Sequence, residues 1–317
     1  MIRHPHFSHL QGWTPIAYHA RPEPAVEWAD LRGHAFDNAF FSRTVDDWRA
    51  APHSPTVRTD LSALEYLDEQ PSLEPNLIIA HPSRCGSTFL ARLASVEEGT
   101  LLVSEPALVT QLLSADLRRG LGSPVDDALR RAVRALGRIR SGNERRYVLK
   151  LNSRMVRFLP NMRRAFPNTP IVWLQRRPAE IVESNLKHST YPAKLLGERQ
   201  RTGWVLRRIA LAFLGATAFV DDSVRVLDYR DLPDAAWTQV TQLMGLEPTE
   251  DLIARMRLRA RTNANSGEPY AVRTRQPLPE DVLAIVHRTL DPMYDALARR
   301  QTHREPVTCR SSVTASG

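Results

Sequence analysis

Eight residues in the first third of the chain combine side chains that together hold an anion. A short apolar run at 76–80 leads into His81, Pro82, Ser83, Arg84, Cys85, Gly86, Ser87 and Thr88, and a helical pattern follows. Amides at a helix N-terminus point outward, and the helix dipole favours negative charge there. Gly86 lets the backbone curl closely around an oxyanion. Ser87 and Thr88 add hydroxyl donors, and Arg84 adds a planar fork. Ser or Thr ahead of a helix is equally an ordinary cap. The loop is not a Walker loop: G-x-x-x-x-G-K-[ST] is absent and no Lys follows Gly86.

A second set of residues has the same logic. The apolar run 171–175 ends at Arg176, Arg177 and Pro178, and Ser184 lies eight residues after Arg176. Pro at the first helical position fits a helix start. Alone, Arg176 would read as a solvated strand-end cation and Ser184 as a helix-surface hydroxyl. Lys150 closes the run 147–151 and Glu105 follows the run 101–104. In solvent Lys150 would be an unremarked strand-end cation, and Glu105 beside Pro106 equally suits a helix N-terminus. His81 ends the first strand, where a histidine is commonly structural.

Taken in order, these segments resemble the PAPS-dependent sulfotransferases (PAPS is 3′-phosphoadenosine 5′-phosphosulfate). PSRCGSTFL is similar to the family's 5′-phosphosulfate loop, usually Pro, Lys or Arg, Ser, Gly, Thr or Ser, Thr. Arg84 takes the cationic position, and Cys85 stands where Ser is usual, as in a group of bacterial sulfotransferase-like proteins. Cys85 removes one hydroxyl but leaves an amide. Arg176 and Ser184 match the 3′-phosphate motif in type and spacing, while Arg177 departs from its usual Asp. VLDYRDL resembles the late strand-turn written Y-E-D-L and places Tyr229 near the nucleotide. The resemblance spans about residues 76–250.

It implies PAPS as co-substrate, bound by Arg84, Cys85, Gly86, Ser87, Thr88, Arg176, Ser184 and Tyr229. It implies Lys150 and Arg84 as the catalytic cations. Cytosolic members carry a His two positions after the catalytic Lys, where this chain has Asn152. Asn cannot act as a base, so Glu105, in an S-E-P turn like that of many bacterial members, is the candidate, with His81 in reserve. The C-terminal Arg-Lys-Gly motif is not found; Arg259, Arg261 and Arg273 are the available substitutes. Transfer of a sulfuryl group to an acceptor hydroxyl by in-line displacement is the implied reaction. The alternatives are a nucleotide-dependent phosphotransferase with a degenerate P-loop, and a non-catalytic nucleotide- or anion-binding protein of the same fold.

The elements that must position these residues alternate. Strand-length apolar runs at 76–80, 101–104, 147–151, 171–175 and 224–228 are separated by helical patterns at 88–95, 106–113, 125–139, 156–166, 178–187 and 203–219. That alternation predicts an α/β fold, a P-loop-like parallel sheet flanked by helices on both faces, with a helical C-terminal part. Ligands of such sheets sit at the carboxyl ends of strands. Residues 1–75, rich in His, Pro and aromatics, read as a partly irregular N-terminal extension with one helix near 45–50. Residues 76–300 form the α/β domain, and 301–317 a flexible tail.

Composition narrows the partners. The 317 residues carry 43 cationic and 35 acidic side chains, a net charge of +8, yet only three cations are lysines: Lys150, Lys187 and Lys194. The cations are interleaved with acids, and no recognition helix or aromatic RNA-binding motif appears, so nucleic acid is not an expected partner. Two cysteines, Cys85 and Cys309, cannot build a disulfide scaffold or a four-thiolate zinc site, and no zinc-spaced motif appears, so no metal is inferred. The N-terminus lacks a signal-peptide core, and the longest apolar stretch, 209–220, reads as a buried helix of roughly 18 Å at about 1.5 Å per residue, too short for a bilayer. A cytoplasmic protein is expected. Its acceptor is a small molecule or glycan of unspecified kind; the positive excess favours an anionic one through steering.

Overall fold

The structure, a computed structural model, describes residues 5–119, 125–188, 193–264, 268 and 276–302. It contains two sheets. In the first, β1 (Thr14–His19) pairs antiparallel with β2 (Ala25–Ala29), which pairs antiparallel with β3 (Thr56–Thr59). The sequence pattern offers irregular structure here because the signals are weak. Pro15 lies in β1 beside a break in register, a charged Glu27 interrupts β2, and β3 is paired across some thirty residues of chain. The burial of Val26, Trp28 and Ala29 is what makes these short runs a sheet. The Trp28 indole N–H donates to Thr59 Oγ1 at 2.9 Å, and Glu27 is ringed by His19, Arg49 and Arg58. Helix α1 (Phe41–Arg49) covers the expected helical stretch, and α2 (Ser62–Leu67) follows β3.

The second sheet comprises β4 (Leu77–Ala80), β5 (Thr100–Ser104), β6 (Arg146–Lys150), β7 (Ile171–Gln175) and β8 (Val224–Asp228). These coincide with the five predicted runs. They are parallel, in the order β5-β6-β4-β7-β8. Their side chains are almost all buried, as a sheet covered on both faces requires. Helices separate successive strands: α3 (Ser87–Ala94) after β4, α4 (Ala107–Arg119) and α5 (Val125–Leu136) between β5 and β6, α6 (Leu159–Ala165) after β6, and α7 (Pro178–Lys187) and α8 (Glu198–Phe219) between β7 and β8. The first crossover runs outward from β4 to the β5 edge, and the later ones run the other way. Right-handed crossovers in opposite directions put α3 on one face and the later helices on the other. The C-terminal part is helical: α9 (Thr241–Leu243), α10 (Glu250–Ala260), α11 (Glu280–Thr289) and α12 (Asp291–Thr302).

The N-terminal sheet is pinned onto this domain. The Tyr18 amide donates to Gln111 Oε1 of α4 at 2.8 Å, and the buried Arg138 donates to the carbonyls of Leu10 and Trp13. The apolar residues of both sheets belong to one continuous core. Helix α8 departs from the buried helix expected of it: Val205, Ile209, Ala212, Phe213 and Ala216 face inward, but Leu211 and Leu214 are more than half exposed. Among the described residues no helix is long and apolar enough to cross a membrane. The tail beyond Thr302 lies outside the described residues.

Order and register decide where the site falls. Ser104 is opposite Lys150, Ile79 is opposite Lys150 on the other side, and Gln175 is opposite Asp228. Strands β5 and β6 therefore end level with one another, and β7 and β8 end level three residues further along, because Ile79 is opposite both Lys150 and Val172. Strand β4, with β6 and β7 as its neighbours, opens at the point where the crossovers reverse direction. That is where a sheet of this type holds its ligand.

Candidate active site

The loop between β4 and α3 is tightly wound. Ser83, Arg84 and Gly86 all have positive φ, at 84°, 48° and 87°. Two of these are not glycine, so the curl is held against its conformational cost. His81 supplies part of the hold. It is 3% exposed, its Nδ1 accepts from the Ser83 amide at 3.0 Å, and its Nε2 faces the Leu151 carbonyl at 3.0 Å. Burial, aided by the charge of Lys150, lowers its pKa to about 3. The ring is therefore neutral and both nitrogens are engaged, so His81 shapes the loop and has no lone pair left for a base.

Gly86 is the N-cap of α3 and has no side chain with which to cap it, and the Ser87 amide is engaged by the Cys85 sulfur. Ser87 and Thr88 open the helix, Ser87 being buried. The Cys85 thiol is fully buried, and burial raises its pKa to about 12. It is a protonated core group, leaving the backbone as what this position can offer a ligand. We expect Cys85 in the folded protein to resist iodoacetamide at pH 8 and to react on unfolding, as read by peptide mapping that separates it from Cys309; ready alkylation of Cys85 itself in native protein would show the thiol to be accessible.

A side chain at Gly86 has no room. A Cβ there would lie 2.5 Å from Cδ2 and 2.7 Å from Cε2 of Tyr229. Tyr229, immediately after β8, in turn carries the Arg176 guanidinium 4.3 Å from its ring centre. Arg176 donates from Nε to Glu180 at 2.6 Å and from Nη1 to the Arg84 carbonyl at 3.3 Å, while Nη2 has no partner among the described residues. Loop, β7 end and β8 end are thus packed through two side chains, those of Tyr229 and Arg176, with one guanidinium edge left over. Ser184 lies one turn beyond Glu180 on α7, on the Arg176 side of the helix. It is half-buried, and its hydroxyl has no partner among the described residues.

Lys150 and Glu105 meet at the other side of β4. Lys150 is fully buried and its Nζ donates to Glu105 Oε1. The pairing follows from register. Ser104 is opposite Lys150, the Glu105 amide extends the ladder by donating to the Lys150 carbonyl at 2.7 Å, and a left-handed φ of 54° then turns the Glu105 backbone. Asn152 Nδ2 donates to the second carboxylate oxygen at 2.8 Å. Burial pushes the Glu105 pKa up, but the Lys150 charge, with hydrogen bonds from Lys150 and Asn152, outweighs it, and the group is held below its ordinary 4.5. Phe40, just before α1, places its ring 5.4 Å from Nζ, so the N-terminal aromatics reach the site.

Arg84 extends to the end of α7, where Nη2 donates to the His188 carbonyl at 3.1 Å. Beside it stands a cation that sequence pattern did not single out. Arg208 of α8 donates to Ser153 Oγ at 3.1 Å and reaches Ser83 Oγ at 3.5 Å. Neither periodicity nor motif marks it, because α8 follows the last motif and its arginines look alike in sequence. Of the C-terminal substitutes, the two described, Arg259 and Arg261, make no hydrogen bond to the cluster. Arg259 donates to Thr262 and feels the charge of Asp37, Arg261 is exposed, and Arg273 lies outside the described residues. Among the described residues no group of three or more His, Cys, Asp or Glu side chains is placed to hold a metal.

Fold and site define an α/β protein with a tightly curled loop at the switch point of a parallel sheet, flanked by a buried lysine–carboxylate pair and an aromatic-stacked arginine. No protein-family model matches the chain, and no curated protein does. Among solved structures it is similar to a sulfotransferase from Alicyclobacillus acidocaldarius (16% identity, 74% of this chain and 98% of that one, TM-score 0.48). It is also similar to a sulfotransferase from Mycobacterium tuberculosis (16%, 74% and 79%, 0.48) and to a mouse sulfotransferase complexed with PAP (14%, 76% and 93%, 0.41).

Proposed function

We propose that the chain is a PAPS-dependent sulfotransferase acting on a hydroxyl. The observation that carries this reading is the convergence, at one edge of the sheet, of the loop 81–88 with Lys150 on one side and Arg176 on the other. A ligand with anionic groups at two separated points suits that arrangement: one for the loop amides, one for Arg176 and Ser184. When bound, PAPS would supply a sulfuryl group activated by its bond to phosphate. The loop amides, Arg84 and Lys150 would hold the 5′ end and neutralise charge gathering on the departing oxygen. Such transfers are governed by positioning and electrostatics.

In the transfer, the acceptor oxygen bonds to sulfur and the sulfur–phosphate oxygen bond breaks, its electron pair leaving with adenosine 3′,5′-bisphosphate (PAP). The acceptor proton passes to Glu105. In the structure Lys150 and Glu105 restrain one another, since the ammonium depresses the basicity of the carboxylate. Once the Lys150 ammonium turns to the leaving oxygen, burial, the opposing influence on Glu105, prevails and makes it a better base. Asn152 stays on the other oxygen and keeps the carboxylate aimed.

Calorimetry with PAP and AMP tests the reading. PAP should bind much more tightly than AMP, and Arg176→Ala should weaken PAP by about 10–100-fold, the worth of charge-assisted hydrogen bonds to one phosphate, while AMP changes little. Equal affinity for the two nucleotides in the unaltered protein would remove PAPS from the reading.

Glu105 makes its own contribution to the loss of stability in acid, beside those of Glu27, Asp30, Glu144 and Asp221, whose pKa values are also lowered. The folded pKa of Glu105 lies below the ordinary 4.5, so the ion pair stabilises the fold above that pH and the contribution is lost as pH falls through the folded value. Glu105→Gln should abolish this part of the acid-side loss of stability and, at neutral pH, lower transfer by about 10²–10⁴-fold, the usual worth of general-base catalysis. Chemical denaturation between pH 3 and 7, beside rates at pH 7, checks both.

A further inference from the structure

Resting on the sulfotransferase reading, we propose that the acceptor carries an oxyanion substituent (carboxylate, phosphate or sulfate ester) near its reacting hydroxyl, and that Arg208 and Arg154 bind it. The turn Asn152-Ser153-Arg154 after β6 joins base and cations in three consecutive residues. Asn152 holds Glu105 through Nδ2 and the Arg154 Nε through Oδ1, the latter at 3.3 Å. Ser153 accepts from Arg208 at 3.1 Å. A hydroxyl placed against Glu105 therefore lies beside two guanidinium groups.

Neither guanidinium has an ion-pair partner among the described residues. Arg208 is the more telling. It is largely buried, its hydrogen-bond partners are two neutral hydroxyls, and its Nε is shielded from solvent without any partner. Burying a charge is costly unless an opposite charge or a full set of hydrogen bonds compensates. Only Glu105 among the carboxylates favours its charged form, whereas Arg154 and Arg84 oppose it. A site that keeps such a group is built for an anion that arrives.

The nucleotide's charges have other partners: the loop amides, Lys150 and Arg176. Arg208 instead comes from α8 and rests on Ser153, beside the Asn152 that holds Glu105. It also lies 5.3 Å from the Trp204 ring centre, which gives the body of an acceptor a flat apolar face next to the cation.

The test uses the full chain and two pairs of probes that differ in one anionic group: phenol against 4-hydroxybenzoate, and glycerol against glycerol 3-phosphate. PAP is titrated first. Failure of PAP to bind would overturn the nucleotide reading, and this inference with it, before any acceptor is added. On PAP-saturated protein, the anionic member of at least one pair should bind about tenfold or more tightly than its neutral counterpart, and Arg208→Gln should erase that preference, an effect the size of one lost charge-assisted contact. The same variant should hold its PAP affinity within about twofold, and in PAPS-driven turnover KM for the anionic probe should rise more than kcat falls. Arg154→Gln, at an exposed position, gives the same direction by about threefold without risk to folding. Equal binding of neutral and anionic members, or a loss of PAP affinity in Arg208→Gln as large as that of the anionic probe, would overturn the proposal; the second result would make Arg208 a nucleotide ligand.

Discussion

Replacing Lys150 by Met is expected to lower sulfuryl transfer about 10²–10³-fold, the loss seen when one preorganised donor to a developing oxyanion is removed. Met keeps most of the volume of a side chain with no solvent exposure, so the sheet end need not collapse. PAP binding should fall only a few-fold, because the loop amides and Arg176 remain. Stability should fall as well, since Glu105 keeps its burial and loses its cation. Removing one member of a fully buried pair costs about 3–5 kcal/mol, and the figure here is smaller because a fifth of the Glu105 side chain is in solvent.

The double variant Lys150→Met with Glu105→Gln separates the two effects. Stability should return toward that of the unaltered protein, because no lone charge is left behind, while transfer stays at the floor. Single-turnover rates with radiolabelled PAPS and denaturant midpoints read the two quantities independently. If Lys150→Met retains a rate within about tenfold, Lys150 has no part in the departure of the phosphate oxygen.

Gly86→Val should abolish PAP binding. The position has φ 87°, a backbone region that costs an L-residue about 1–2 kcal/mol, more for a β-branched one. The new Cβ would overlap the Tyr229 ring, which cannot yield without leaving the Arg176 guanidinium stacked on it. One substitution therefore disturbs the loop, the Tyr229 ring and the Arg176 guanidinium together. Gly86→Ala should show the same defect in lesser degree. Calorimetry with PAP and thermal denaturation measure both. Full PAP affinity in the Val variant would mean that the loop curl and the Tyr229 contact play no part in binding.

The strands of the parallel sheet and the residues at their ends were legible in the sequence for a common reason. An apolar run of four or five residues bounded by Gly, Pro and polar residues is encoded locally, and so is a Gly or a cation at the turn that follows. Arg84, Gly86, Lys150, Arg176 and Tyr229 could each be located because each lies within a residue or two of such a turn or begins the helix after it. The antiparallel N-terminal sheet was not legible, because β2 is a strand only by virtue of Thr59 and Val57 beside it and the core beneath it. The exposed face of α8 was hidden too, since a helix rich in Leu and Ala has the same composition whether one face or both are covered.

The roles of the site residues divide along the same line. His81 and Glu105 were equal in kind by sequence, each an ionisable residue at a strand end. The fold distinguishes them: it uses both ring nitrogens of His81 to shape the loop, and it sets the Glu105 carboxylate against Lys150 through the register of β5 on β6. Arg208 acquires its place only when α8 brings it to Ser153, 55 residues away in the chain. The parallel sheet, its turns and the cations at two of its strand ends could be read along the chain, because they are properties of sequence neighbours. Which charges meet, and which is buried without a counter-ion, came from the packing of distant segments. Desolvation and Coulomb energy depend on distances in space that spacing in the sequence does not set.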